Sequence, residues 1–410
     1  MHIVALTGDY YPNIMAPSSC FKPYLEEFAK THEVEIICPV TNIHYKSTII
    51  NDGIVIHFAS CLSSRIIAKA NTNIIDNVNI HLSRFISSIG RVSNYLKEEI
   101  LPSPFDVSLI NSYLEILEGI NTKRKIDLVI SVTFPFYTHV VGLKYKQLHP
   151  DAKWLTYSTD PLAYNEANPI PRWKIKGAKR IEKKVYEYCD CCLITEELLH
   201  NVAYDYHIPQ NKILVLPYLI ETDRVPTLLS GVKQNDRPQV LYAGCLFHRV
   251  RNPQLLLDVF SELQDIDLNL YVTGDRKCRK ILRDSFPPNI SINSVVPREE
   301  YFSLLSQADI LVNLSNNAKL QAPHKLLELI STGRPIINFY YFKNTSYGII
   351  EKYPLGINIS NSLNANEIRL IIRDFVMKNR NKHLSDKEIK DIFPENLLLF
   401  QMARIKELLR

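Results

Sequence analysis

The chain has 410 residues, 46% apolar and 22% charged, the profile of an ordinary globular protein long enough for two or three domains. That profile excludes intrinsic disorder, collagen-like repeats and a disulfide-framed mini-protein. Its 48 Lys and Arg against 43 Asp and Glu give a net charge of +5, too mild a bias for a nucleic-acid-binding face. Glycine is scarce, with 12 in the chain, so repeated glycine-rich phosphate loops are not expected.

Met1–Thr7 opens the chain with no basic, long apolar or cleavage segment, so no signal peptide is expected. No run of 18 apolar residues predicts a membrane span, and eight irregularly spaced cysteines read as reduced thiols in a cytoplasmic protein. Over residues 1–220, strands are predicted at His2–Thr7, Glu33–Cys38, Ile54–Phe58, Asp127–Val132, Lys153–Ser158, Cys191–Thr195 and Lys212–Leu216. Helical patterns at Cys20–Thr31, Tyr137–Leu148 and Arg172–Tyr188 alternate with them, which indicates a parallel sheet covered on both faces. Residues 62–122 break the rhythm and read as a helical insertion.

Residues 221–237 read as a linker. A second series over 238–392 has strands at Gln239–Ala243, Leu268–Thr273, Ile290–Val295, Ile310–Leu314, Pro335–Tyr340 and Leu355–Ile359. Residues 393–410 close the chain, with Asn396–Arg410 an amphipathic helix expected to return toward the first domain. The expected fold class is α/β: two Rossmann-like, doubly wound domains facing a cleft, with ligands at the carboxyl ends of the strands.

The sharpest motif is Gln321–Pro335. Pro323 suits the first helical position and Gly333 the left-handed position just past the helix end. His324 and Lys325 place cationic groups in a first turn whose dipole favours negative charge, an arrangement suited to a diphosphate. Glu328, one turn on, shares the face of Lys325 and is a candidate acceptor for sugar hydroxyls. The plainer alternative is a Lys325–Glu328 surface pair. In Val240–Pro253 a strand is expected to end at Gly244, followed by a loop carrying Arg249 and Arg251 to a helix that Asn252 caps and Pro253 opens. Arginine's planar fork suits phosphate oxygens, although such a pair can equally be solvated. Gly274 ends the next strand, where a base or ribose can approach the backbone.

These residues resemble the donor-binding domain of bacterial GT-B glycosyltransferases, family 4 in particular. The resemblance is carried by Tyr242-Ala243-Gly244 with its following basic pair, by Val272-Thr273-Gly274, by Ala308-Asp309-Ile310, and above all by Pro323–Glu328 with Gly333–Ile337. The first domain matches more loosely, through Met1–Thr7 with Tyr10-Tyr11-Pro12 and through Leu214–Pro217. The resemblance implies that Arg249, Arg251, Lys325 and His324 hold the diphosphate of a nucleotide-sugar donor, that Glu328 holds the ribose, and that Gly244 and Gly274 line the pocket. It implies retention of anomeric configuration with neither metal nor further cofactor. Two departures stand out. Leu320 occupies the place of the first Glu of the family's Glu-x7-Glu pair, and Ala16-Pro17 stand where paired glycines are common. Ser18 and Ser19 still offer hydroxyls or amides there.

On the acceptor side, Lys153–Asn165 reads as a strand running into a polar loop in which Asp160 is placed to bind sugar hydroxyls, although Asp before Pro is also a routine turn. The resemblance adds Asn165. The acceptor class it implies is a saccharide or a lipid-linked saccharide. In Arg172–Lys184, Arg172, Lys174, Lys176, Lys179, Arg180, Lys183 and Lys184 face the single acid Glu182, which suggests attraction to an anionic membrane or a pyrophosphate-lipid. Cys189-Asp190-Cys191-Cys192 has no second ligand pair at a suitable distance and reads as the start of a buried strand. His139, His200 and His207 read as packing or surface residues. Two other readings remain: a non-catalytic subunit of the same fold, motivated by Leu320, and a sugar-nucleotide epimerase.

Overall fold

The computed structural model describes residues 1–11, 14, 16–41, 47–61, 64–65, 68–69, 107–166, 169–225, 236–321 and 324–409. Of the insertion expected over 62–122, residues 62–63, 66–67 and 70–106 lie outside the described residues, as do Pro323 and residues 226–235 of the expected linker. The chain divides into two compact units. The first comprises Met1–Asn165, Pro169–Pro217 and Ile405–Arg410, and the second comprises Glu166–Asn168 and Tyr218–Arg404.

The first unit holds an eight-stranded sheet: β1 (His2–Leu6), β2 (Glu33–Pro39), β3 (Thr48–Asn51), β4 (Ile54–Ala59), β5 (Leu128–Val132), β6 (Lys153–Ser158), β7 (Cys191–Ile194) and β8 (Ile213–Val215). Its order is β3-β4-β2-β1-β5-β6-β7-β8. Every pairing is parallel except β3 with β4. β1 and β5 are buried along their whole length, as strands covered on both faces must be. Strand β3, not expected from the sequence, forms a hairpin with β4. Asp52 (φ 50°) and Gly53 (φ 78°) both adopt positive φ, the requirement of a two-residue primed turn. Helix Val107–Lys123 buries Tyr113, whose hydroxyl donates to Thr7 O at 2.7 Å, just past the end of β1. Gly8 follows. A Cβ there would lie 1.8 Å from Pro135 Cδ, so only glycine lets the two loops meet.

The second unit has a six-stranded, all-parallel sheet: β9 (Gln239–Leu246), β10 (Asp267–Gly274), β11 (Ile290–Asn293), β12 (Ile310–Leu314), β13 (Ile336–Tyr340) and β14 (Gly356–Ser360). The order is β11-β10-β9-β12-β13-β14. Alternate residues of these strands feed two cores. One is built on Val240, Leu256, Phe260, Ile310 and Phe339, the other on Leu241, Leu311, Leu326, Leu327 and Ile330. Ile220 packs into the latter. The helix Lys325–Ser331 stops as expected at Gly333 (φ 71°), whose carbonyl accepts from Leu384 N at 2.9 Å. The last helix is Leu398–Leu409, shorter than expected because a separate 3-10 turn occupies Pro394–Asn396. Leu409 O accepts from Lys153 Nζ at 2.7 Å within the first unit.

Candidate functional site

In the second unit, the chain returns from β11 past β9 to β12, so strand order reverses between β9 and β12. Ligands of doubly wound sheets bind at the carboxyl side of such a reversal. Here the two strands also separate. β12 pairs with β9 only at Ile310–Val240 and Leu311–Leu241, whereas β9 runs on beside β10 to the pair Leu246–Gly274. The strand therefore continues two residues beyond Gly244, where the sequence suggested it would stop. The ends of β9 and β12 are thus not paired with each other, and the Lys325 side chain lies beside this end of β9. A Cβ on Gly244 would lie 3.6 Å from the Lys325 ammonium.

Lys325 opens its helix, with His324 as the preceding residue in helical geometry and its ring 6.0 Å from that of Tyr218. The ammonium also lies over the Tyr301 ring, 5.2 Å from its centroid. Tyr301 in turn donates its hydroxyl to Glu328 Oε2 at 3.0 Å, and Glu328 is only 6% exposed. The Glu328 carboxylate is thus a buried, oriented group and not one half of a surface pair. Sequence patterning missed Tyr301. Within Arg298–Gln307 it stands beside Phe302 and one turn from Leu305, all buried, and so reads as ordinary core.

The arginine loop approaches from the other side. Phe247 and Arg251 close a tight turn, with Arg251 N donating to Phe247 O at 2.7 Å. Arg251 turns inward over the Phe247 ring and beside the Tyr242 hydroxyl, which burial pushes up to about 12 although Arg251 lowers it. Its Nε is buried with no hydrogen-bond partner among the described residues, at a small cavity also lined by Asn252, Ser315, Tyr341 and Asn361. Arg249 is exposed. The next helix begins at Gln254 with Pro253, not Asn252, at its cap position, and Asn252 Oδ1 accepts from Gln254 N at 3.0 Å in the turn that leads into it. Asp275, which sequence reading did not single out, anchors this loop. It accepts from Cys278 N and from His248 N, both at 2.9 Å, and these bonds hold its carboxyl below the usual range. Gly274 lets Cys278 pack closely: a Cβ there would lie 2.9 Å from Cys278 Cβ and 3.1 Å from Leu246 O. Arg334, in the motif segment, serves the fold by donating to Ser306 O at 2.6 and 3.1 Å. The structure thus gathers Gly244, Lys325, Tyr301 and Glu328 in one row, with Arg251 joined to it through Tyr242.

In the first unit, Ser18 sits in the opening turn of the Ala16–Ala29 helix, 1% exposed, its hydroxyl without a partner among the described residues. Asp160 lies in the loop that follows β6 and accepts from Thr159 Oγ1 at 3.0 Å. The basic segment resolves into a 3-10 turn, Arg172–Lys174, and a helix, Ile175–Tyr188. Arg172, Lys176, Arg180, Lys184 and Tyr188 are exposed at four-residue spacing, so they form one stripe. Trp173 beside it is 59% exposed. Lys174 and Glu182 are buried and do not belong to that face.

His139 is fully buried between Ser131 Oγ (2.7 Å) and Ser158 Oγ (2.9 Å), and burial pulls its pKa down to about 3. Cys189 and Cys192 lie with sulfurs 3.4 Å apart, both buried. Among the described residues, the one group of three metal-ligating side chains is His2, Glu33 and Glu35, at the amino ends of β1 and β2. There both His2 ring nitrogens already face acceptors, Lys125 O and Glu35, and His57 pairs with the other Glu35 oxygen. No described helix is long and apolar enough to cross a membrane.

No family model matches the sequence, and no curated protein matches it. Solved structures do. The sucrose-phosphate synthase of Thermosynechococcus elongatus superposes with a TM-score of 0.70 at 12% identity, covering 100% of this chain and 98% of that one. TarM superposes at 0.67 and 11% identity, covering 100% and 98%. Anabaena HepE in complex with UDP-glucose superposes at 0.60 and 11% identity, covering 99% and 100%. At these identities the likeness is one of fold: two parallel-sheet α/β units of the GT-B type.

Proposed function

We propose that this chain is a glycosyltransferase that moves a sugar from a nucleotide-sugar donor to a saccharide or lipid-linked acceptor. The observation that carries the reading is the row Gly244–Lys325–Tyr301–Glu328 at the strand reversal of the second unit, with Arg251 alongside. Lys325, Arg249 and Arg251 supply fixed positive charge for the diphosphate that leaves as the glycosidic C–O bond breaks, where preorganised charge is most effective. Glu328 takes the ribose hydroxyls, while Gly244, Gly274 and His324 shape the donor's surroundings. The bond from C1 to the acceptor oxygen forms as a leaving-phosphate oxygen takes the acceptor proton. That route retains configuration, needs no separate base, and lets the protein's own cations do the work of a metal. Asp160 is assigned to acceptor hydroxyls. The Arg172–Tyr188 stripe is assigned to an anionic membrane surface, the place of a lipid-linked acceptor in surface-polysaccharide synthesis. HepE was crystallised with UDP-glucose, which makes uridine diphosphate sugars the first donors to test.

Leu320 favours a second reading, a binding subunit without transfer. It offers no carboxylate where the resemblance places one on the donor sugar. A thermal-shift panel of nucleotide-sugars, followed by product analysis with and without acceptor, separates these readings. A specific donor stabilises the fold by mass action in both cases. Only the transferase then consumes it with an acceptor present, and an epimerase converts it without one.

A further inference from the structure

The only acid in the basic segment Arg172–Lys184 is the residue whose surroundings depart furthest from a solvated helix face. Glu182 is 0% exposed. Its Oε1 accepts from Leu162 N at 2.7 Å, and its Oε2 from Ala163 N at 3.1 Å and from the Tyr206 hydroxyl at 2.7 Å. Burial raises its pKa, while these three donors lower it. Two of the donors are consecutive backbone amides in the loop that follows β6, the loop of Asp160 and Asn165. The same helix grips that loop again through Lys179, whose ammonium sits 4.2 Å from the Tyr164 ring centroid.

The structure assigns Glu182 a positioning role: its buried carboxylate pins Leu162 and Ala163 and so fixes the Asp160 loop against the helix Ile175–Tyr188. The assignment of that loop to acceptor binding rests on the function proposed above, whereas the pinning itself does not. A buried carboxylate is expensive to desolvate, and three well-aimed donors offset that cost only in one loop geometry. Both oxygens act solely as acceptors. An amide in their place, in either orientation, presents an N–H to at least one N–H or O–H donor. Glutamine is therefore no substitute here, although it has the same shape.

Hydrogen exchange at single-residue resolution tests the pinning. In Glu182→Gln, exchange at Leu162 and Ala163 should rise by at least about tenfold, with β5 and β6 unchanged. Tyr206→Phe, a milder variant, should give a smaller change at the same amides and keeps the test open should the first variant misfold. Unchanged exchange at both amides, or loss of protection through the whole unit in both variants, overturns the role. Kinetics with UDP-glucose and a panel of free monosaccharides then test its consequence. Glu182→Gln should raise the acceptor KM by about tenfold and leave the donor KM in place. Glu182→Asp, which keeps both acceptor oxygens, should recover part of the loss. Equal changes in both KM values overturn the positioning role. Asp160→Ala serves as the control. An unchanged acceptor KM in that variant removes the acceptor assignment and leaves the exchange result to stand. A raised value there with no effect in Glu182→Gln removes the positioning role alone.

Discussion

Tyr301 donates its hydroxyl to Glu328 at 3.0 Å while the ammonium of Lys325 lies over its ring. One aromatic side chain therefore holds the two charged groups of the site at once, through different parts of its surface. Lys325 and Glu328 are near each other on the helix by spacing alone, but Tyr301 fixes where each one points.

Tyr301→Phe keeps the ring beneath Lys325 and removes only the hydroxyl that orients Glu328. Losing one hydrogen bond to a buried carboxylate costs about 1–2 kcal/mol, so UDP affinity should fall by about five- to thirtyfold. Tyr301→Leu also removes the cation–π contact and should weaken UDP further. Calorimetric titration of both folded variants checks the order. Affinities equal to that of the unsubstituted chain would contradict it.

The Arg172–Tyr188 stripe predicts salt-sensitive binding to vesicles of phosphatidylglycerol mixed with phosphatidylcholine, and none to phosphatidylcholine alone. Each cation contributes on the order of 1 kcal/mol near such a surface. Reversing Lys176, Arg180 and Lys184 to Glu should abolish sedimentation with the anionic vesicles while leaving nucleotide binding intact. Equal binding to both vesicle types would contradict the assignment.

His139 gives stability a pH dependence with a definite sign. Its pKa in the folded chain is about 3, below the ordinary histidine value of roughly 6.5, because burial disfavours the charged ring. The unfolded chain therefore takes up the proton first. The contribution is complete above pH 6.5 and declines by about a factor of ten in the folding equilibrium per pH unit below it, down to about pH 3. Urea unfolding between pH 7 and 5 should show this slope, and His139→Asn should flatten it.

Much of this architecture is legible in the sequence because parallel strands buried on both faces are continuous apolar runs, as at Ile3–Leu6 and Leu128–Val132. Strand β3 escaped because Thr48–Asn51 is an edge strand of four residues with alternating exposure, although Asp52-Gly53 was a usable turn signal. The motif Lys325–Gly333 could be located because a cationic first turn and a left-handed glycine are local features. The partners that orient it are not local. Tyr301 and Asp275 act across loops, and nothing in their own segments distinguishes them from a core tyrosine and an ordinary helix cap. Glu182 shows the converse. Its neighbours in sequence are cations, yet its partners in space are two amides and a tyrosine twenty or more positions away in one direction or nearly so in the other, which charge counting along the chain does not register.

The most direct measurement is donor turnover by Lys325→Ala and Glu328→Ala, with UDP-glucose as the first donor and folding of each variant verified. The account predicts that each falls by about a hundredfold or more, Lys325→Ala chiefly in kcat and Glu328→Ala chiefly in donor KM. Unchanged turnover in both folded variants would contradict it.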